Sequence, residues 1–95
     1  MVKNKIEWSI RSKRHVLKIQ KYLEEINSSA AVKVTGEIKA TAELLLVQPL
    51  LGKPWVRNGT RKLVLKKYTY SIIYRVAGSK VVVLAVAHQS LKNQA

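Results

Sequence analysis

The run Tyr70-Ser71-Ile72-Ile73-Tyr74-Arg75-Val76, Ala77-Gly78-Ser79-Lys80, Val81-Val82-Val83-Leu84-Ala85-Val86-Ala87 decides the fold. Its first part is rich in β-branched and aromatic residues and reads as a strand. Its middle is a hairpin turn. Its last part is apolar at every position, as expected of a central strand covered on both faces. Upstream, the turn Asn58-Gly59 introduces a further strand, Arg61-Lys62-Leu63-Val64-Leu65, and Lys66 to Thr69 is a very short link. Three consecutive strands with short links predict an antiparallel meander.

The preceding half has a different period. Val16, Ile19, Leu23 and Ile26 recur at helical spacing, with Tyr22 beside them, and Lys13, Arg14, Lys18 and Lys21 take the other side. Ser12 is placed to cap this helix. Asn27-Ser28-Ser29 breaks it and offers an N-cap for the next. The second helix is expected from about Ala30 to Val47, with Ala31, Val34, Ile38, Ala42 and Leu45 as its stripe. Together they predict an antiparallel helical hairpin. Ile6-Glu7-Trp8-Ser9-Ile10 alternates at period two, like a half-buried strand. Pro49-Leu50-Leu51-Gly52-Lys53-Pro54 ends the helical part and reads as a turn. The expected order is β-α-α-β-β-β, an α+β fold in one domain over residues 1–95. The helical hairpin should cover one face of the sheet. The other face is left partly open and rich in Arg and Lys. Residues 89–95 are polar and are read as a frayed end.

Charge bounds the partners. Eighteen Lys and Arg face five acidic residues, for a net +13. Every acid (Glu7, Glu24, Glu25, Glu37, Glu43) precedes Leu44, and the nine basic residues from Leu44 to Ala95 have no acidic neighbour in sequence. Such a field favours nucleic acid, the ribosome or an acidic protein. There is no cysteine, which excludes disulfides and thiol chemistry and fits a reducing cytosol. No run reaches the roughly 18 apolar residues that span a bilayer, and no apolar region follows the basic N-terminus. The expectation is a cytoplasmic protein with no membrane, metal or cofactor.

The ordered run Pro49 to Pro54, Gly59-Thr60-Arg61-Lys62-Leu63, Tyr70 to Val76 and Val83-Leu84-Ala85-Val86-Ala87-His88 resembles the RelE/ParE toxin superfamily of plasmid stabilisation systems. The resemblance covers nearly the whole chain and is nearer the ParE-like branch. It implies a co-encoded antitoxin that wraps the toxin, partly acidic and disordered until bound. It also implies one of two activities: poisoning DNA gyrase without enzymatic chemistry, or cutting messenger RNA on the ribosome as an endoribonuclease (an mRNA interferase).

Cutting RNA at its 2′-hydroxyl requires a base, an acid and cations for the phosphorane-like charge. Arg61 and Arg75 on adjacent strands are candidates for a phosphate clamp, and Lys62, Lys66 and Lys67 for backbone phosphates. His88 is the candidate that titrates near neutral pH. His15, among basic residues, reads as an exposed helix residue. Against the nuclease, no tyrosine follows His88 in Gln89-Ser90-Leu91-Lys92, and no carboxylate follows Glu43. Trp55 in the loop after Pro54 either packs over the sheet edge or anchors an interface. The gyrase-binding reading leads, the ribosome-dependent nuclease with Arg61, Arg75 and His88 is second, and a plain nucleic-acid-binding module is third.

Overall fold

The computed structural model describes residues 5–88. The expected frayed end and the stretch after His88 lie outside the described residues. The elements run β1 (Lys5–Trp8), α1 (Ile10–Ile26), α2 (Ser28–Val47), β2 (Lys53–Pro54), β3 (Arg61–Val64), β4 (Tyr70–Ala77) and β5 (Lys80–His88). The α+β fold is the expected one, with one addition: the sheet has five strands, in the order β1-β5-β4-β3-β2. β2 was read as turn. It pairs Lys53 with Lys62 and Pro54 with Arg61. Pro54 is tolerated because β2 is an outer strand, where a missing N–H costs no ladder bond.

β5 is central for its first half. β4 lies antiparallel on one side and β1 parallel on the other, with Ile6 opposite Val81 and Trp8 opposite Val83. The chain leaves the sheet at Ser9. Its N–H donates to the Val83 carbonyl and its hydroxyl to the Leu84 carbonyl. Ser9 also caps α1, accepting from the Ser12 N–H at 3.0 Å. The expected cap, Ser12, instead lies one turn inside the helix, fully buried, donating to the Ser9 carbonyl. The helix starts early because the strand ends at Trp8, so Ile10 is helical and exposed.

Asn27 alone links the helices. Its N–H closes α1 on the Leu23 carbonyl, and its side chain accepts from the Ser29 and Ala30 N–H groups to open α2. α2 therefore begins at Ser28 rather than Ala30. Its whole expected stripe is buried, and Val34, Ile38, Ala42 and Leu45 meet Leu65, Ile72, Tyr74, Val81, Val83 and Val86 in the core. α1 contributes Val16, Ile19 and Leu23 at the margin of that core, but Tyr22 and Ile26 remain exposed. A helix with one flank on α2 and one on the end of a sheet has no third surface to bury them.

Leu84 is a bulge residue. Tyr74 pairs with Val83 and Ile73 with Ala85, so Leu84 has no partner across the ladder. The extra residue resets the alternation. Val81 and Val83 face the helices, and so does Val86 rather than Ala85. Arg61, opposite Tyr74, and Leu63, opposite Ile72, lie on this helical side. Lys62, opposite Ile73, lies on the other side together with Arg75, opposite Val82.

Candidate functional site: a basic groove beside the end of β5

β1 ends opposite Val83, so among the described residues β5 from Leu84 to His88 has no strand on that side. A groove of about 600 Å³ opens there. α1 forms one wall with Arg11, His15, Lys18, Ile19 and Tyr22. The turn between β2 and β3 forms the other with Trp55, Val56, Arg57 and Thr60. Between them lie Tyr70, Ile73 and five consecutive residues of β5, Leu84 to His88. Side chains of a strand alternate between faces. Five consecutive lining residues therefore mean that the groove reaches the backbone edge of the strand, while Ile73 and the β2–β3 turn carry it across the open face of the sheet.

His15 closes part of that edge. Its Nδ1 accepts a hydrogen bond from the Val86 N–H at 3.1 Å. This assigns the neutral ring with its proton on Nε2, because a protonated Nδ1 cannot accept. Burial, then the charges of Arg11 and Lys18, hold the His15 pKa below the usual imidazole value. The expected exposed helix residue is thus half-buried and bonded to the sheet. The contact joins residues 71 apart. No local pattern marks it.

His88 ends the strand at the far side of the groove. Its Nε2 lies 2.9 Å from the Thr69 hydroxyl, and its ring meets Tyr70 edge-on at 5.2 Å. Burial, then the neighbouring Tyr22, raise the Tyr70 pKa.

The two expected phosphate arginines do not converge. Arg61 lies on the helical side, where its Nη1 donates to the Gly52 carbonyl at 2.7 Å. Gly52 is in turn held by Tyr74, whose hydroxyl accepts from the Gly52 N–H and donates to the Pro49 carbonyl, both at 2.8 Å. Burial, the leading effect, raises the Tyr74 pKa and keeps the hydroxyl a donor. The Pro49–Pro54 segment is therefore a knot tied by Tyr74 and Arg61, and Arg75 sits exposed on the opposite side of the sheet. Two cations on opposite faces cannot grip one phosphate.

Of the lysines, Lys62 stands over the Trp55 ring at 4.2 Å from its centroid, a cation–π contact. This half-buries Trp55 against β3 and keeps it in the groove wall, so it both packs on the sheet and presents a face. Lys66 and Lys67 are exposed in the β3–β4 link and do not line the groove. The Arg57 carbonyl accepts from both the N–H and the hydroxyl of Thr60, which shapes the wall turn, and Gly59 holds its left-handed corner at φ +78°. Among the described residues, no group of three or more His, Cys, Asp and Glu is placed to hold a metal, and no helix is long and apolar enough to cross a membrane. The groove offers an apolar floor, three aromatic rings, a cationic rim and no carboxylate among the described lining residues.

The family described as the ParE toxin of the type II toxin–antitoxin system parDE matches residues 6–92. The chain belongs to the ParE toxin family. A candidate toxin of Sinorhizobium fredii, Y4kP, is 33% identical to this ParE-family chain over 88 residues, covering 93% of it and 91% of the relative. Among solved structures, the chromosomal ParDE toxin–antitoxin system of P. aeruginosa superposes with a TM-score of 0.77 at 22% identity, over 87% of this chain and 92% of that one. The RelBE2 toxin–antitoxin complex of Mycobacterium tuberculosis gives 0.57 at 25% identity, over 92% and 99%. The E. coli DinJ–YafQ toxin–antitoxin complex gives 0.62 at 15% identity, over 94% and 96%. The ParE toxin is thus the toxin component of a type II system on the RelE/ParE scaffold.

Proposed function

We propose that this ParE-family toxin stops growth by binding and poisoning DNA gyrase, and that a cognate antitoxin neutralises it by docking on the basic groove. The observation that carries the choice of binding over cutting is the separation of Arg61 from Arg75. One guanidinium is engaged with the Gly52 carbonyl behind the sheet, and the other is exposed in front. The expected two-arginine phosphate clamp requires both aimed at one point. The groove instead suits a macromolecular partner with apolar anchors and acidic flanks. Lys62, Lys66, Lys67 and Arg75 supply a broader cationic surface for steering. The cytoplasm is the compartment where such a target is met.

The test uses purified protein with gyrase and supercoiled plasmid, and in parallel with ribosomes programmed with messenger RNA. Inhibited supercoiling with accumulation of cleaved DNA, reversed by the antitoxin, is the expected result. Cuts in the ribosomal A site that vanish in His88→Ala, with gyrase untouched, would overturn it in favour of the nuclease.

A further inference from the structure

We infer that the outer face of α1 is a phosphate-binding stripe that lays the protein on duplex DNA without regard to base sequence. The inference goes beyond the gyrase reading and does not depend on it.

The charge order of α1 is the first observation. Arg11, Lys13, Arg14, Lys18 and Lys21 precede any acid on the helix, and Glu24 and Glu25 stand near its end. A helix carries partial positive charge at its N-terminus and partial negative charge at its C-terminus. α1 is therefore charged against its own dipole at both ends: its first turn holds no acid and its last turn no base. The cations also repel one another. Arg11 with Arg14, Arg14 with Lys18, and Lys18 with Lys21 stand three or four residues apart, a spacing at which like charges destabilise a helix.

The second observation is that the fold leaves these charges unpaired. All five cations are exposed. Among the described residues the one ion pair joins Lys80 to Glu7, and Glu24 accepts from the Gln20 amide. A polyanion supplied from outside relieves both the repulsion and the opposed dipole.

The third is shape. Arg11, Arg14, Lys18 and Lys21 run along the helix over ten residues, a line of about 15 Å at about 1.5 Å per residue, with Lys13 beside it. One DNA strand offers a phosphate about every 3.4 Å along the axis, so the line faces about four of them. The inner sides of α1 pack on α2 and β5, so the helix cannot sink whole into a DNA groove. Its stripe meets the backbone, and backbone contacts carry no sequence information. RNA is held by rings that stack unpaired bases and by polar groups at the 2′-hydroxyl. His15 and Tyr22, the rings of α1, belong to the groove, and Lys13, Arg14 and Lys21 at the centre of the stripe have none beside them. A bilayer surface takes a whole apolar helix face, whereas the exposed apolar residues beside these three are Ile10 and Leu17.

The experiment is a salt titration of the purified full chain against short labelled DNA duplexes, followed by fluorescence anisotropy. Two duplexes of unrelated sequence are expected to bind within about twofold of each other. Lys13→Gln, Arg14→Gln and Lys21→Gln together leave every groove-lining residue in place. This triple variant is expected to weaken duplex binding at least tenfold at low salt. The slope of log K against log salt should flatten by about 2–3, and Tm should hold or rise as the like pairs disappear. Lys33→Gln, Lys39→Gln and Lys53→Gln together remove the same charge from exposed sites on α2 and β2, and should change the slope by less than about 1. Equal losses from the two triple variants would assign the binding to overall charge and overturn the stripe. So would no duplex binding at micromolar protein and low salt, or tighter binding to duplex RNA or to phosphatidylglycerol vesicles than to DNA. The assay contains neither gyrase nor antitoxin, so this inference and the proposed function can each fail alone.

Discussion

Replacing Tyr74 by Phe isolates the knot that sets the β2–β3 wall. The ring is fully buried and phenylalanine fills its volume, so no cavity cost is added. What disappears is one hydroxyl that serves two backbone groups, the Gly52 N–H and the Pro49 carbonyl. Gly52 is buried, so its N–H is left without a partner, at a cost of about 1–3 kcal/mol. Pro49 is half-buried and water can reach its carbonyl, so that loss is an ordinary bond of about 0.5–1.5 kcal/mol. Together the two losses come to about 1.5–4.5 kcal/mol. In a domain of this size each kcal/mol moves Tm by roughly 4–8 °C, which gives a drop of about 6–36 °C. Urea titration and thermal unfolding followed by circular dichroism read both numbers. A second variant approaches the same point from the other side. A Cβ on Gly52 would lie 2.8 Å from Tyr74 Cε1 and Oη and 3.0 Å from the Lys62 carbonyl. The ring is locked in the core and the carbonyl is backbone, so neither can yield cheaply. Gly52→Ala should therefore cost as much as Tyr74→Phe, and the two together less than their sum. A Tyr74→Phe protein that loses under about 1 kcal/mol, or strict additivity of the pair, would refute the reasoning.

Other tests are narrower. The His15 pKa is lower in the fold than in the unfolded chain, so the unfolded chain binds more protons near neutrality. Stability contributed by the neutral ring is complete above the unfolded value near 6.5 and is lost as pH falls toward the folded value. Urea titrations between pH 5 and 8 should show this slope and should lose part of it in His15→Gln, which can still accept from Val86; an unchanged slope argues against the assignment. Asn27→Ala removes the acceptor for two N–H groups of α2 and should cost about 0.5–2 kcal/mol by chemical denaturation. The Ser71 hydroxyl is buried without a hydrogen-bond partner among the described residues, so Ser71→Ala should be neutral or stabilise by up to about 1 kcal/mol; a loss of that size would reveal a partner. Trp55→Ala opens one wall of the groove and frees Lys62, and calorimetric titration with the antitoxin should show binding weakened by about tenfold or more.

What the sequence reveals follows the reach of each interaction. The α2 stripe is legible to the residue because one helix face meets one sheet, and periodicity encodes that directly. The β5 run is legible as a buried strand. Its bulge is not, since an unbroken apolar run carries no parity for an extra residue to disturb. β2 is invisible because two residues ending in Pro54 have no strand signature of their own and acquire one only from β3. The site is less legible still. Candidate residues chosen for chemical type alone put Arg61 beside Arg75, whereas counting alternation from Tyr74 puts them on opposite faces. His15 needs the parallel placement of β1, which brings α1 against β5 and which no local pattern announces. The one usable hint was compositional: a histidine among lysines and arginines on the helix that follows an edge-forming strand.

The unpaired Leu84 lets the scaffold and the groove vary separately. Because β4 pairs on both sides of it without a gap, a chain shortened by this one residue keeps Val83 and Val86 inward and Ala85 outward. The ladder to β4 would close unbroken. On the opposite edge, however, the deletion removes the Leu84 carbonyl that the Ser9 hydroxyl holds, one of the two side-chain contacts that cover that edge beside the His15–Val86 bond. A single codon thus divides what keeps the ladder to β4 from what covers the neighbouring edge.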